Sequence, residues 1–275
     1  KAMPGLSGEA LAMIELYCWT ALGGSASEIG AAFGLNFLAG EGGGIAVLPG
    51  GNARVAERLF EALAESLGSD RLRANSPVFR VAPGPDGVAV HYAASDGTPR
   101  ALLADAVVMA CPKFIAGRVV EGLHGERAEE FKRLKYRSYL VANALIDGPA
   151  ASPDSYEVFM LGEPGLGPER TEEQSKKRMA TDFLFGTFAR RDAKDTVLTI
   201  YRALPFDGAR AGLMAPGAFA RHSAEFKEQA RRGILPGLGI SEADVRGWRF
   251  SRYGHPLPLA ETGLLAQGVC ERIRA

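Results

Sequence analysis

The sequence has 275 residues, of which 47% are hydrophobic and 23% charged, the make-up of a folded chain with a sizeable core and not of a disordered one. Lysine and arginine total 32, aspartate and glutamate 32, so no net field draws nucleic acid or an anionic membrane, and no nucleic-acid partner is expected. No apolar run approaches the roughly 18 residues of a membrane span and no signal peptide is visible, so no integral membrane segment is expected.

In chain order, Leu6 to Trp19 reads as a helix with Ser7 as its N-cap and Leu11, Met13, Ile14 and Tyr17 as its apolar side. Ser25 and Glu28 stand at capping-box spacing ahead of a second helical stretch carrying Ile29, Phe33, Phe37 and Leu38. Glycines 42 to 44 interrupt, a short strand is expected over Ile45 to Leu48, and Pro49-Gly50-Gly51-Asn52 turns into a helix with Val55, Leu59, Leu63 and Leu67 at helical spacing. Strands are then expected over Arg71 to Ala74, Val78 to Ala82, Val88 to Ala93 and Arg100 to Leu103, joined by Pro-Gly-Asp turns as an antiparallel meander. Ala106 to Ala110 is apolar without alternation, the pattern of a parallel strand buried on both faces, and Cys111-Pro112 stops it.

Beyond Pro112 a helix is expected near Glu126 to Leu134, strands over Tyr139 to Ile146, 156 to 161, 182 to 188 and 196 to 202, a helix around Ala218 to Arg231 and a last strand over Trp248 to Tyr253. Between them lie a Gly/Pro-rich stretch (147–169) and a charged one (170–178). Cys18, Cys111 and Cys270 are odd in number and far apart, suggesting neither disulfides nor zinc; a reducing compartment, the cytoplasm, is expected. His91, His124, His222 and His255 are scattered without ligand spacing, so no metal is expected. The basic pairs Arg190-Arg191 and Arg231-Arg232 and the run Lys176-Lys177-Arg178 read as solvated faces. No G-x-G-x-x-G or P-loop occurs, and Gly5-Leu6-Ser7-Gly8-Glu9 is one glycine short of a nucleophile elbow.

The order of parts over residues 46 to 115 carries the most information. Leu48-Pro49-Gly50-Gly51-Asn52, an amphipathic helix, Arg71 to Val81 with Ser76-Pro77-Val78, the meander ending at Asp96-Gly97, and Ala104-Asp105-Ala106-Val107-Val108-Met109-Ala110-Cys111-Pro112 follow one another. This series resembles the flavin-containing amine oxidase superfamily, which includes amine oxidases, protoporphyrinogen oxidases and phytoene desaturases. Arg249 to Pro258 is similar to the strand and loop before that family's last flavin motif.

The resemblance implies a mixed α/β protein: a partial FAD-binding Rossmann-like domain with a β-meander, plus a substrate domain of mixed sheet and helices. It implies helices of the substrate domain over 1–45, the partial FAD domain over 46–115, the substrate domain over 116–250 and a return towards the FAD domain over 251–275. It implies FAD as cofactor, with Val78 meeting the adenine end through its backbone and Gly50, Gly51, Cys111 and Pro112 near the cofactor. The function expected is oxidation of a small organic substrate by hydride transfer to flavin, electrons passing on to oxygen or another acceptor. A nonenzymatic α/β binding module, or a degenerate relative, is the alternative. The family's N-terminal glycine-rich loop and C-terminal flavin motif have no counterpart, so the chain is expected to be an internal fragment that alone binds no FAD. The family's lysine near flavin N5 falls on Ala142, beside Asn143, and the expectation is that simple primary amines are poor substrates. Tyr139, Phe159, Phe183, Phe185 and Tyr201 are candidates for lining the substrate cavity, with core packing the alternative for each. No catalytic base is assigned, and the oligomeric state is left open.

Overall fold

The computed structural model describes residues 5–41, 46–148, 155–160, 180–188, 190 and 192–274. In order come α1 (Gly8–Leu22), α2 (Ala31–Glu41), α3 (Ala53–Leu67), β1 (Val78–Gly84), β2 (Gly87–Ala93), β3 (Pro99–Ala104), α4 (Lys113–Val119) and α5 (Gly125–Arg133). Then follow β4 (Tyr136–Asp147), β5 (Glu157–Phe159), β6 (Asp182–Phe185), β7 (Asp195–Leu204), α6 (Ala209–Met214), α7 (Ala218–Gln229), β8 (Val245–Pro258) and α8 (Val269–Arg274). The chain divides into two compact units, Lys1–Arg54 with Lys135–Gly263, and Val55–Leu134 with Leu264–Ala275.

The first unit is built on a five-stranded sheet in the order β5-β6-β7-β4-β8, every ladder antiparallel. Strict alternation along β4 sends Leu140, Ala142, Ala144 and Ile146 to one face, each at most 4% exposed. Phe183 and Phe185 of β6 and Leu198 and Ile200 of β7 join them there. The helix α7 runs on through a π turn, Ala230–Ile234, and lays Phe226, Ala230 and Ile234, four residues apart, on this face together with Leu235. Leu213 of α6 completes the seal.

Before the sheet, Ser7 caps α1 by accepting from the Ala10 N–H at 3.2 Å, as its spacing predicts. Gly23 ends that helix at φ 78°, where a Cβ would stand 3.0 Å from Arg137 Cγ; glycine is required for both reasons. The Ser25/Glu28 box forms reciprocally, Ser25 N–H to Glu28 Oε2 at 2.8 Å and Glu28 N–H to Ser25 Oγ at 3.3 Å. It closes a tight turn, and the helix proper starts later, at Ala31, because Ile29 is drawn into a bridge with Glu261. A buried polar clasp holds this corner. Arg137, 2% exposed, donates to Gly23 O at 3.0 Å and Glu28 Oε1 at 2.8 Å and pairs with Asp207. Glu15, 1% exposed, accepts from Trp19 Nε1 and from the Ala26 N–H, both at 2.8 Å.

The second unit carries the meander β1-β2-β3, in the register Val81↔Val90 and Val90↔Leu102. Val81 also bridges Val120 beyond α4, and Arg80 forks onto Glu121 at 2.5 and 2.8 Å. Its core is small: Val81, Tyr92, Ala116 and Phe131 are its buried hydrophobics among α3 to α5.

Three expected strands are absent here. Residues 46–48 are irregular, with Ile45 outside the described residues, and Arg71 to Ala74 forms a short 3-10 turn and loop. Ala106 to Ala110 has no ladder partner, and Val108 is 90% exposed. Apolarity without alternation signals a buried parallel strand only where parallel neighbours exist, and the described strands of this unit are all taken up by the antiparallel meander. The same holds for α3, whose helical stripe forms as expected yet leaves Val55, Leu59, Leu63 and Leu67 exposed.

Candidate functional site

The face of the five-stranded sheet opposite the helices α6 and α7 is half open. Two cross-strand rows can be read from the register. One runs Arg249, Asn143, Thr199, Leu184, Glu157; the other runs Ser251, Val141, Tyr201, Asp182, Phe159. Arg249 is exposed and Asp182 buried; the other eight are half-buried, in contrast to the sealed face. The residues of this face alternate with those of the core, so one strand supplies both.

The helices α1 and α2 border one side of this face. The Tyr139 hydroxyl donates to Trp19 O and Thr20 O at 2.7 and 2.6 Å, tying the end of α1 to β4. This sets Tyr17 edge-on to Phe159, ring centroids 6.0 Å apart, and 5.7 Å from Phe37 of α2. Carboxylates gather at the same place. Burial and a hydrogen bond to Glu41 push the Tyr17 phenol up, with the charges of Glu41, Glu157 and Asp182 acting the same way. Burial first, then the charge of Glu41, holds the Glu157 carboxyl above the usual carboxylate range. Burial likewise pushes the Tyr201 phenol up. An aromatic and acidic environment of this kind favours an organic cation, through charge and through the negative ring faces.

Towards β8 the character changes. Thr199 Oγ1 donates to Asn143 Oδ1 at 2.7 Å, and Arg249 lies directly across from Asn143. Among the described residues of this face there is no lysine.

The residues singled out from the sequence separate clearly. Phe183 and Phe185 are core residues of the sealed face, whereas Tyr139, Phe159 and Tyr201 belong to the open one. Ala142 is fully buried against the helices and Asn143 is the residue that faces outward. In the first unit Gly50 and Gly51 form an exposed turn with φ of 91° and 80°, Gly51 N–H bonding Leu48 O. In the second unit Val78 opens the outer strand β1 and is 42% exposed, Cys111 is half-buried, and Pro112 is the N-cap of α4. Sequence reasoning missed Tyr17, Phe37, Glu41, Glu157 and Thr199. Glu157 and Phe159 were legible as alternate residues of one short strand, but Glu41 lies 116 residues from Glu157 and Tyr17 142 residues from Phe159 along the chain.

A meander-bearing unit and an antiparallel sheet sealed by helices on one face and half open on the other make a two-unit protein of the mixed α/β class. The sequence profile of the flavin-containing amine oxidoreductases matches residues 4–222, and the chain belongs to that family. The cofactor this membership implies is FAD. Among solved structures the chain is similar to a single-substitution mutant of putrescine oxidase, made to redesign cofactor binding, at 16% identity and a TM-score of 0.65 over 96% of this chain. It is also similar to wild-type putrescine oxidase bound to putrescine, at 17% identity and a TM-score of 0.61 over 95% of this chain. Each comparison spans 56% of the putrescine oxidase chain, so this chain covers little more than half the length of those neighbours. At such identity the likeness shows the fold. No curated protein matches the sequence. No described helix is long and apolar enough to cross a membrane.

Proposed function

We propose that the protein is an FAD-dependent oxidoreductase that takes a hydride from a small nitrogen-bearing organic substrate, and that the half-open sheet face is where that substrate binds. The observation that carries this reading is the convergence of Tyr17, Phe37, Glu41, Phe159, Glu157 and Tyr201 on one side of the sheet in a chain of this family. On this reading the first unit is the substrate domain and the second part of the FAD domain, with Val78, Cys111 and Pro112 meeting the cofactor there; for Gly50 and Gly51, carried by the first unit, the family resemblance alone supports a cofactor role. These residues suit a cofactor's outer contacts. Val78 starts an outer strand and is 42% exposed, Cys111 is small, and at Gly51 a Cβ would meet nothing within 4 Å.

Bound flavin would supply the hydride acceptor. The work of the chain itself is to hold the cationic end of the substrate against Glu157 and Glu41, to wall it with Tyr17, Phe37 and Phe159, and to keep a neutral amide, Asn143, at the middle of the face. The carbon that gives up hydride must sit beside a nitrogen with a free lone pair, so the group held by the carboxylates is not the nitrogen that reacts. This fits a substrate richer than a simple primary amine, in keeping with the absence of lysine among the described residues of the face. A cytoplasmic protein with no nucleic-acid partner is part of the same proposal; its three cysteines are free.

The test is anaerobic flavin bleaching of the full-length protein by a panel of amines, amino acids and apolar ring compounds. Bleaching by a nitrogen-bearing member is expected, and bleaching by the apolar compounds alone would refute the reading. Flavin content reports the cofactor contacts: Val78→Ile should leave it unchanged, while Val78→Pro, which removes an N–H, should lower it; equal content in both would remove Val78 from the site.

A further inference from the structure

The row Arg249, Asn143, Thr199, Leu184, Glu157 runs straight across the open face, with a guanidinium at one end and a carboxyl at the other. The three arginines of β8 differ in what they meet. Arg246 pairs with Asp147 at 3.1 Å and Asp195 at 3.4 Å, and Arg252 lies 5.2 Å over the Phe219 ring. Arg249 has no carboxylate partner among the described residues, and it alone of the three stands on the substrate face beside Asn143. Thr199 fixes the Asn143 carboxamide by donating to its oxygen, which turns the two N–H donors of the amide outward, and these have no acceptor among the described residues. A free guanidinium and an oriented amide, side by side, make a receptor for a carboxylate.

We infer that the substrate of this face carries a carboxylate as well as an amine: Arg249 and Asn143 hold the carboxylate, and the Glu157 side holds the cation. The inference rests on the proposed amine-oxidising reading and specifies its substrate class. Four strand spacings of about 4.8 Å separate the Cα atoms of Arg249 and Glu157 by roughly 19 Å, and with both side chains reaching inward roughly 10 Å is left between the charged heads. That distance fits an amino acid with separated charges, a carboxylate and an ammonium at the ends of a chain of about five or six carbons. A short α-amino acid, whose ammonium sits directly beside its carboxylate, would satisfy only one end.

Binding and turnover are measured separately on the full-length protein. Calorimetric titration compares 6-aminohexanoate and L-lysine with hexylamine and cadaverine, which keep the chain and lose the carboxylate. The carboxylated ligands are expected to bind more tightly, and Arg249→Met should weaken them about 10- to 100-fold while leaving hexylamine unchanged, the size of a charge-assisted hydrogen bond. Arg249→Lys should recover part of the loss, and Asn143→Ala should cost the carboxylated ligands less than Arg249→Met does. Arg249 is exposed, so the variant is expected to fold. Equal affinity for hexylamine and 6-aminohexanoate, or loss of both on Arg249→Met, would overturn the inference. The two proposals fail differently. Arg249-dependent carboxylate binding without flavin bleaching by any amine supports this site and refutes the oxidase reading; bleaching that is no faster with L-lysine, whose second nitrogen is left to react, than with cadaverine supports the oxidase reading and refutes this site.

Discussion

The two faces of the five-stranded sheet are made by the same strands and have opposite fates. On one, Leu140, Ala142, Ala144 and Ile146 of β4 are sealed under α6 and α7. On the other, Val141, Asn143 and Leu145 remain half-buried beside Thr199 and Tyr201. Neighbouring residues are thus assigned to different surroundings by the period of two, one set to the sealed core and the other to the half-open face. The lesson is that the chemistry of a position on this sheet depends on its parity before it depends on its residue type.

The comparison breaks most visibly at adjacent residues of β6. Phe183→Ala opens a cavity under α7 and should cost about 3–5 kcal/mol, lowering the melting temperature by roughly 10 °C, whereas Leu184→Ala on the open face should cost only about 1 kcal/mol. Similar losses at both would show that the open face is packed as tightly as the sealed one. Next in size is a pair on β4. Ala142→Leu overpacks a fully buried site and should cost about 1–3 kcal/mol, while Asn143→Leu, one residue on, should leave thermal stability within about 1 kcal/mol but weaken carboxylate binding.

Glu157 sharpens the comparison through pH. Burial and the Glu41 charge raise its pKa in the folded protein, so the folded state holds that proton more tightly than the unfolded chain and loses stability as pH rises through the raised value. Glu157→Gln should therefore raise the melting temperature at pH 8 and have little effect at pH 3.5, where both states carry the proton. Substrate cation binding should follow the opposite course, weakening in the parent protein as pH falls through the same range and losing this limb in the variant. A stability gain that is independent of pH would mean that Glu157 acts by packing alone. The smallest effect is expected in the second unit, where Leu59→Gln on the exposed stripe of α3 should change the stability of this chain by no more than about 0.5 kcal/mol.

Local signals were reliable where the deciding physics is local. Ser7 caps α1, the hairpin at 83–87 closes β1 onto β2, and the alternation of Tyr139 to Ile146 marks β4. They failed at Ala106 to Ala110, since a parallel strand exists only by virtue of its neighbours, and at Arg71 to Ala74, where no partner strand is at hand. The candidate site was legible in part. Tyr139, Phe159 and Tyr201 could be named as strand aromatics, but nothing in the sequence separates them from Phe183 and Phe185, because which face a helix will cover is decided by packing.

What the sequence by itself determined is the longer helices, most of the strands, the meander, and an order of motifs that marks the family, since capping, turn chemistry and hydrophobic period act over a few residues and are written in consecutive positions. What only the tertiary structure decided is the register that places Arg249, Asn143, Thr199, Leu184 and Glu157 in one row and brings Tyr17 of the first helix against Phe159. The paired residues lie up to 142 positions apart, and no local preference encodes their meeting. It follows from burying one face of a sheet under α6 and α7, which leaves the opposite face, with its charges and rings, half open.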